Sequence, residues 1–551
     1  MRHFSVLLVD DEKENILEEA EREFPSGSNI RLKTANDKRS AEKLIKSEFF
    51  HMALVDPGLS QDDDSLEGNL VLSRLKELRP SCERIILTNL SRHEYNNDTL
   101  PIVAQMHPTL GSAQGILIKT DVVNSFRALI GERAGRWLQN CLEIDGARIV
   151  ADKLSDLFSK RHQKTKTSVT ADEIDFLVSR VFGQGEPWNL AQEGLGIRRV
   201  TLELIPRQGF SLAAVVKATC YSKDNVPGVL CVLKFATPEH VQTELARYSQ
   251  YVRFRLAVHH RVELLGWSIG DNFGVLCYNF AGIASLSDLF LKEEPMFFGA
   301  LDELFAKQSW YSEKCQVRLG EHFHDYYRMN VFNVLDAIRK VAGRLEHAFN
   351  GSQRGNELLI GGATVSLPGD ILDKKIFSRL SPGCVVHGDM HCDNVLVGER
   401  NVPMLIDYFS VGNGPRAIDL ATLESNVRLL ALLRFDEVGS YIPDPRPDKE
   451  VISEILALGT LEEGVWNTVW RPDATIIEET KAPLWARASI HLGKLARKNF
   501  EKEPSLTEGE YAATCMMWGF RLFKVKDLSE ANRVRLLVWI SNLVGVLRKC
   551  L

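Results

Sequence analysis

The chain has 551 residues, 44% hydrophobic and 25% charged, with a formal net charge of −6 at pH 7. That length suits about two to four domains of ordinary globular composition, and the acidic balance gives no global case for a nucleic-acid partner. No apolar run reaches spanning length, the start of the chain does not read as a signal peptide, and the ten cysteines include no C-x-x-C pair, so reduced thiols, a cytoplasmic location and no membrane partner are expected.

Four apolar segments in the first 120 residues each run into a polar residue. Residues 5–9 end at Asp10 and Asp11, 52–55 at Asp56, 84–87 at Thr88, and 115–118 at Lys119. Helical patterns lie between them, as at 12–24 and 67–78. Alternating strand and helix predicts a doubly wound parallel sheet. Residues at the carboxyl ends of its strands share one rim, here three carboxylates, a hydroxyl and an ammonium. At these residues the segment 1–131 resembles the response-regulator receiver domain, an α/β fold of the flavodoxin-like kind. The resemblance implies that Asp10, Asp11 and Asp56 hold Mg²⁺, that Asp56 accepts a phosphoryl group, and that Thr88 and Lys119 contact it. A cation there offsets the repulsion between clustered carboxylates and the incoming group. The segment departs from the family at Thr120, where a proline is usual, and at Ile116, where a switch aromatic is common. Residues 61–65 and the long connection 91–115 look like insertions. The alternative is a receiver fold kept for docking or dimerisation alone.

Residues 132–195 read as a helical linker. Leu138, Leu142, Ile149, Leu154, Leu157 and Phe158 supply helical spacing over 132–160, with Gly146 as a candidate break. The basic stretch 159–168 has few apolar residues and no interleaved aromatics, which suits a solvated loop better than a nucleic-acid patch. A second amphipathic run covers 171–182, and a turn-rich segment follows at 183–187. A homodimer through the receiver or these helices is compatible with the pattern.

From 196 to 283 the pattern is β-rich. Strands at 199–205 and 213–221 flank a turn containing Gly209 and Ser211, which could lay backbone N–H groups over phosphates or be an ordinary hairpin. The apolar run 229–235 contains Lys234, and a lysine there needs a counter-charge. Thr237 and Pro238 open a helix that carries Glu244. A Lys234–Glu244 pair would aim the ammonium at nucleotide phosphates; the alternative is a lysine that snorkels from the sheet. Residues 276–282 read as a strand entering a hinge, where adenine would meet backbone.

The rest, 284–551, is mostly helical, with a long periodic segment at 323–349. Its most informative stretch is His387-Gly388-Asp389-Met390-His391-Cys392-Asp393-Asn394. Two short apolar runs, 395–397 and 404–406, read as a hairpin. In a hairpin Asn394 precedes the outgoing strand and Asp407 follows the returning one, so both emerge at one end beside Asp389. Two oxygen ligands for a hard cation and a spare carboxylate are what magnesium-assisted phosphoryl transfer needs. A later Asp419-Leu420-Ala421 completes the set. With these motifs, 385–421 resembles the aminoglycoside phosphotransferase and choline-kinase group of protein-kinase-like enzymes, and the likeness extends over roughly 196–430. The resemblance implies an α+β bilobal domain using ATP and Mg²⁺. Asp389 would be the catalytic base and Asn394 and Asp407 metal ligands. Gly209, Ser211, Lys234 and Glu244 would serve the nucleotide. Asp419 would brace the catalytic loop, and His387 would help hold it. A zinc site at His387, His391 and Cys392 fits no common structural spacing, and Cys392 has no assigned base, so it reads as inert.

Together these readings predict a cytoplasmic signalling protein. A phosphorylatable receiver would regulate an ATP- and Mg²⁺-dependent phosphotransferase acting on a hydroxyl of a protein or a small molecule. A histidine kinase or another phosphodonor would lie upstream. The alternatives are a nucleotide-binding pseudokinase scaffold with a docking receiver, against which intact Asp389 and Asp407 argue, and an aminoglycoside-type small-molecule kinase, against which the fused receiver argues.

Overall fold

Residues Phe4–Val9 (β1) are an unbroken apolar run apart from Ser5, and all six are buried. A strand buried on both faces belongs inside a parallel sheet. Its neighbours are Ile30–Ala35 (β2), Met52–Val55 (β3), Glu83–Thr88 (β4) and Gly115–Ile118 (β5), all parallel, in the order β2-β1-β3-β4-β5. This is the doubly wound order of flavodoxin-like folds. The computed structural model describes residues 3–11, 29–56, 59, 67–79, 81–88, 115–118, 128–135, 142–159, 169–184, 197–205, 213–280, 284–306, 315–317, 331–348, 350–360, 362–372, 381–398, 401–433, 449–471, 477–500, 507–525 and 528–550. The expected helix at 12–24, the stretch 61–65 and most of 91–115 lie outside them. Helix α1 (Lys38–Ser47) starts at Asp37, whose side chain accepts from Ser40 N at 2.7 Å, and α2 spans Glu67–Leu78.

The linker is not helical throughout. Glu143–Asp145 (β6) pairs in parallel with Arg199–Leu204 (β7), Ile144 opposite Val200. One apolar residue between two acids has period two, which suits a sheet edge rather than a helix. Gly146 ends the strand at φ +89°, and a Cβ there would lie 2.5 Å from Leu202 O. The helical frame therefore restarts at α3 (Ala147–Ser159), which buries Val150, Ala151 and Leu154 and leaves Ile149 59% exposed. Helix α4 (Ala171–Ser179) is capped by Thr170, which accepts from Glu173 N at 3.2 Å, and continues as a wider turn through Gln184.

Ala214–Tyr221 (β8), Pro227–Ala236 (β9), Leu264–Ile269 (β10) and Gly274–Asn279 (β11) complete a sheet in the order β10-β11-β9-β8-β7-β6. All its pairs but β6–β7 are antiparallel. Alternate residues of β8 are buried, as expected of a sheet packed on one face. Its inner face closes a core with α3 and α4, including Leu154, Ile174, Leu177, Val216 and Phe235. Helix α5 (Pro238–Arg247) follows β9, with Thr237 Oγ1 accepting from His240 N at 3.3 Å.

The chain divides into two compact units, Met1–Thr243 with Glu263–Phe280, and Glu244–Val262 with Ala281–Leu551. In the second, Ala284–Ser285 (β12) leads into α6 (Leu286–Lys292), opened by a Ser285–Asp288 capping box, and α7 (Glu294–Ala306). Cys315–Val317 (β13) comes next, and the periodic segment then appears as α8 (Val331–Ala348). Ser352–Arg354 (β14), Glu357–Ile360 (β15) and Ala363–Ser366 (β16) form a meander. Ser381–Val386 (β17) pairs with β13 and Gly412–Pro415 (β20), while Val395–Val397 (β18) pairs with β12 and Pro403–Leu405 (β19).

Helices Ile418–Leu433 (α9), Lys449–Trp470 (α10), Leu484–Asn499 (α11), Glu508–Leu522 (α12) and Glu530–Cys550 (α13) follow. Arg428 is buried among them. It is paired with Glu424 at 3.0 Å and Glu462 at 2.7 Å, and its guanidinium lies over the Trp485 and Trp539 rings. A buried charge persists only when paired in this way. No described helix is long and apolar enough to cross a membrane.

Candidate active site

Strand β17 delivers the loop that begins at His387. His387 N and Gly388 N donate to the two carboxylate oxygens of Asp419, each at 2.8 Å. Asp419 sits in the first turn of α9 and is fully buried. Charge-assisted bonds to two backbone N–H groups, at a helix end that favours negative charge, hold the carboxylate there. His387 is also fully buried, and its Nε2 bonds Ile406 O at 2.8 Å. The strand end is thereby tied to the returning arm of the β18–β19 hairpin. Gly388 lies at φ +78°, and a Cβ there would sit 2.6 Å from Ser410 O, so only glycine fits unstrained.

Asp389 follows, half-buried. Its carbonyl accepts from His391 N and from Asn394 Nδ2, both at 2.9 Å. That bond commits the Asn394 amide nitrogen to the loop and leaves its amide oxygen with ligand character. In the hairpin Val395 is opposite Leu405, and Ile406 N donates to Asn394 O at 3.0 Å. Asn394 and Asp407 are thus held at one end, as hairpin geometry requires. Asp407 adopts φ +62°, a left-handed conformation uncommon for a non-glycine residue. Such strain persists only where the surroundings impose it, and it clusters at functional sites. Carboxylate oxygens of Asp407 and Glu244 lie within 4.8 Å of each other, and Tyr408 N donates to Glu244 Oε1 at 3.3 Å. Two carboxylates that close favour a bound cation between them. Oxygen donors of this kind suit Mg²⁺.

Glu244 is fully buried. Lys234 is buried on β9, opposite Leu276 of β11, in the other compact unit. Gly209 and Ser211 lie outside the described residues. Cys392 is buried, and burial pushes its thiol well above the ordinary range, which removes it as a nucleophile. Its backbone N–H donates to Asn426 Oδ1 at 3.0 Å. Asn426 was not singled out from sequence, although it lies two helical turns beyond Asp419 on the same face of α9. Tyr408 was also missed. Its hydroxyl accepts from Val262 N at 3.0 Å and bonds Leu405 O.

The first unit holds a second acidic set. Asp10 follows β1 and Asp56 follows β3, with Asp56 N donating to Val9 O at 2.9 Å. Carboxylate oxygens of Asp10, Asp11 and Asp56 all lie within 4.8 Å of one another, again a hard-oxygen set that fits Mg²⁺. Thr88 ends the adjacent strand β4. Lys119 lies outside the described residues.

A cavity of about 370 Å³ in the second unit is lined by Thr364, Glu463, Trp466, Arg471 and Lys549 among others, and by none of Asp389, Asn394 or Asp407.

A flavodoxin-like receiver fold followed by a kinase-like α+β domain is the class these strand orders and this loop define. Residues 370–440 match the model of the phosphotransferase enzyme family. No curated protein matches the chain. Among solved structures, a CheY-like response regulator receiver domain protein from Methanospirillum hungatei is similar at 20% identity over 25% of this chain and 98% of its own, with a TM-score of 0.20. An aminoglycoside-3'-phosphotransferase of type VIII is similar at 17% identity over 53% of this chain and 93% of its own, with a TM-score of 0.23. An ethanolamine kinase from Plasmodium vivax is similar at 12% identity over 73% of this chain and 96% of its own, with a TM-score of 0.30.

Proposed function

We propose that the chain is a cytoplasmic ATP-dependent phosphotransferase acting on a hydroxyl group and regulated by its own receiver. The observation that carries this reading is the set Asp389, Asn394 and Asp407 on one loop and hairpin, braced through Asp419. Asn394 and Asp407 would hold Mg²⁺ through their oxygens. The ion would offset charge on the transferred phosphoryl group. Asp389 would orient the acceptor hydroxyl and take its proton as the oxygen attacks the γ-phosphorus of ATP, while the bond from that phosphorus to the bridging oxygen breaks and ADP leaves. Lys234 would position the nucleotide phosphates. Asp56 accepts a phosphoryl group from an upstream histidine kinase or another phosphodonor. The regulated architecture suits a protein hydroxyl as acceptor, and a small hydroxylated molecule is the second class.

The test incubates the purified chain with radiolabelled ATP, Mg²⁺ and candidate acceptors. Asp389→Asn is expected to retain nucleotide binding and lose transfer, and Asp407→Asn to weaken Mg²⁺-dependent nucleotide binding as well. Wild-type turnover by Asp389→Asn would overturn the assignment. Nucleotide binding without ADP release under any condition would favour the scaffold alternative.

A further inference from the structure

The first compact unit contains a corner where receiver, linker and sheet meet. The turn at 270–273, between β10 and β11, reaches the segment between α2 and β4. Asp271 Oδ1 accepts from Ser81 N at 2.8 Å and from Ser81 Oγ at 2.6 Å, and Oδ2 lies 3.8 Å from Arg79 Nη1. The Asp271 side chain has no solvent exposure and that of Arg79 only 5%. Arg79 Nε is fastened in turn to Ile45 O of α1 at 2.8 Å. The next residue, Asn272, donates from N and Nδ2 to the two oxygens of Glu173 on α4, at 3.0 and 3.1 Å. Glu173 is fully buried. Beside these polar contacts, Phe176 of α4 meets Phe49 and His51 of the receiver at ring-centroid distances of 5.3 and 5.8 Å.

The position of this corner on the receiver is informative. His51 immediately precedes β3, whose other end carries Asp56. Ser81 lies two residues before β4, whose other end is Thr88. Strands rise about 3.3 Å per residue, so the corner and the acidic rim stand at opposite ends of the same two buried strands, about 15–20 Å apart. On the sheet side, the turn at 270–273 opens directly into β11, which places Gly274 opposite Ala236 and Leu276 opposite Lys234. A buried carboxylate keeps its place only while its donors stay within hydrogen-bond range. Burial raises both Asp271 and Glu173, and the Ser81 and Asn272 bonds oppose the rise. A contact of this kind does not slide.

We propose that this corner couples the two folds: the state of the Asp56 rim reaches the Lys234-bearing sheet through Ser81 and Asp271 rather than through a flexible tether. The inference rests on the reading of Asp56 as a phosphoryl acceptor and is independent of whether the second unit transfers phosphate.

Hydrogen exchange on the full chain tests it, with and without beryllofluoride and Mg²⁺. Amides at the carboxyl ends of β3 and β4 report occupancy of the rim, and amides of β9 and β11 report the sheet. In the wild type both sets are expected to slow or quicken together. In Ser81→Ala and Asp271→Asn the rim response should persist while the sheet response falls below about half. Ser81→Ala removes a single hydroxyl and keeps the test alive if Asp271→Asn folds poorly. An undiminished sheet response in both variants overturns the proposal. So does a wild-type rim that responds without the sheet. A rim that does not respond removes the acceptor reading and this proposal together, and the rim amides alone identify that case.

Discussion

His51 allows a quantitative test of how the receiver is held. The residue is 6% exposed, its ring stacks on Phe4 at 4.9 Å, and Ser5 N donates to its Nδ1 at 3.0 Å. Burial drives the imidazole down from 6.5 to about 3. The folded chain therefore holds the neutral ring, while the unfolded chain takes up a proton as pH falls through 6.5. The stability due to this difference is complete above that pH and is lost progressively down to about 3. The full span is worth about 5 kcal/mol, and roughly 2 kcal/mol of it is gone by about pH 5. Urea unfolding of wild type and His51→Gln, at neutral pH and at about pH 5, isolates the effect. Glutamine keeps an acceptor for Ser5 N and does not titrate. Asp271 and Glu173, whose carboxyls burial pushes up, contribute a slope of opposite sign that is common to both proteins. Wild type is expected to lose about 2 kcal/mol more than the variant on acidification. Equal losses, or a His51 resonance titrating near the ordinary imidazole value, would refute the reasoning.

Gly388→Ala forces a Cβ to within 2.6 Å of Ser410 O at φ +78°. It should cost about 1–3 kcal/mol in urea unfolding and reduce turnover further by displacing Asp389; unchanged stability and turnover would contradict the loop geometry. Asp419→Asn offers one amide oxygen to two backbone donors and should cost about 2–4 kcal/mol, with turnover falling more than nucleotide affinity. A variant with wild-type stability would show that the brace is dispensable. Acetyl phosphate with Mg²⁺ should add one phosphoryl mass to the chain and none to Asp56→Ala; an unmodified wild type points to a docking-only receiver.

Much of the fold was legible as local pattern. Strands β3 and β5 are continuous apolar runs, β1 is one apart from Ser5, β4 has the apolar centre Ile85–Leu87, and α2 spans the twelve residues its periodicity outlines. The edge strand β2, with intermediate or exposed residues until Ala35, gives a far weaker signal. The β18–β19 hairpin is likewise local, so its geometry alone brings Asn394 and Asp407 to one end. Other features belong to the tertiary structure. The pairing of β6 with β7 turned a stretch of helical spacing into a strand. Ser81 and Asp271 stand 190 residues apart, and Tyr408 and Glu244 stand 164 apart. Periodicity tells a segment which face to bury, because that depends on its own side chains. Which distant face covers it, and which buried acid meets which donor, is decided by the summed burial and hydrogen bonding of the whole unit, and no window of sequence contains that sum.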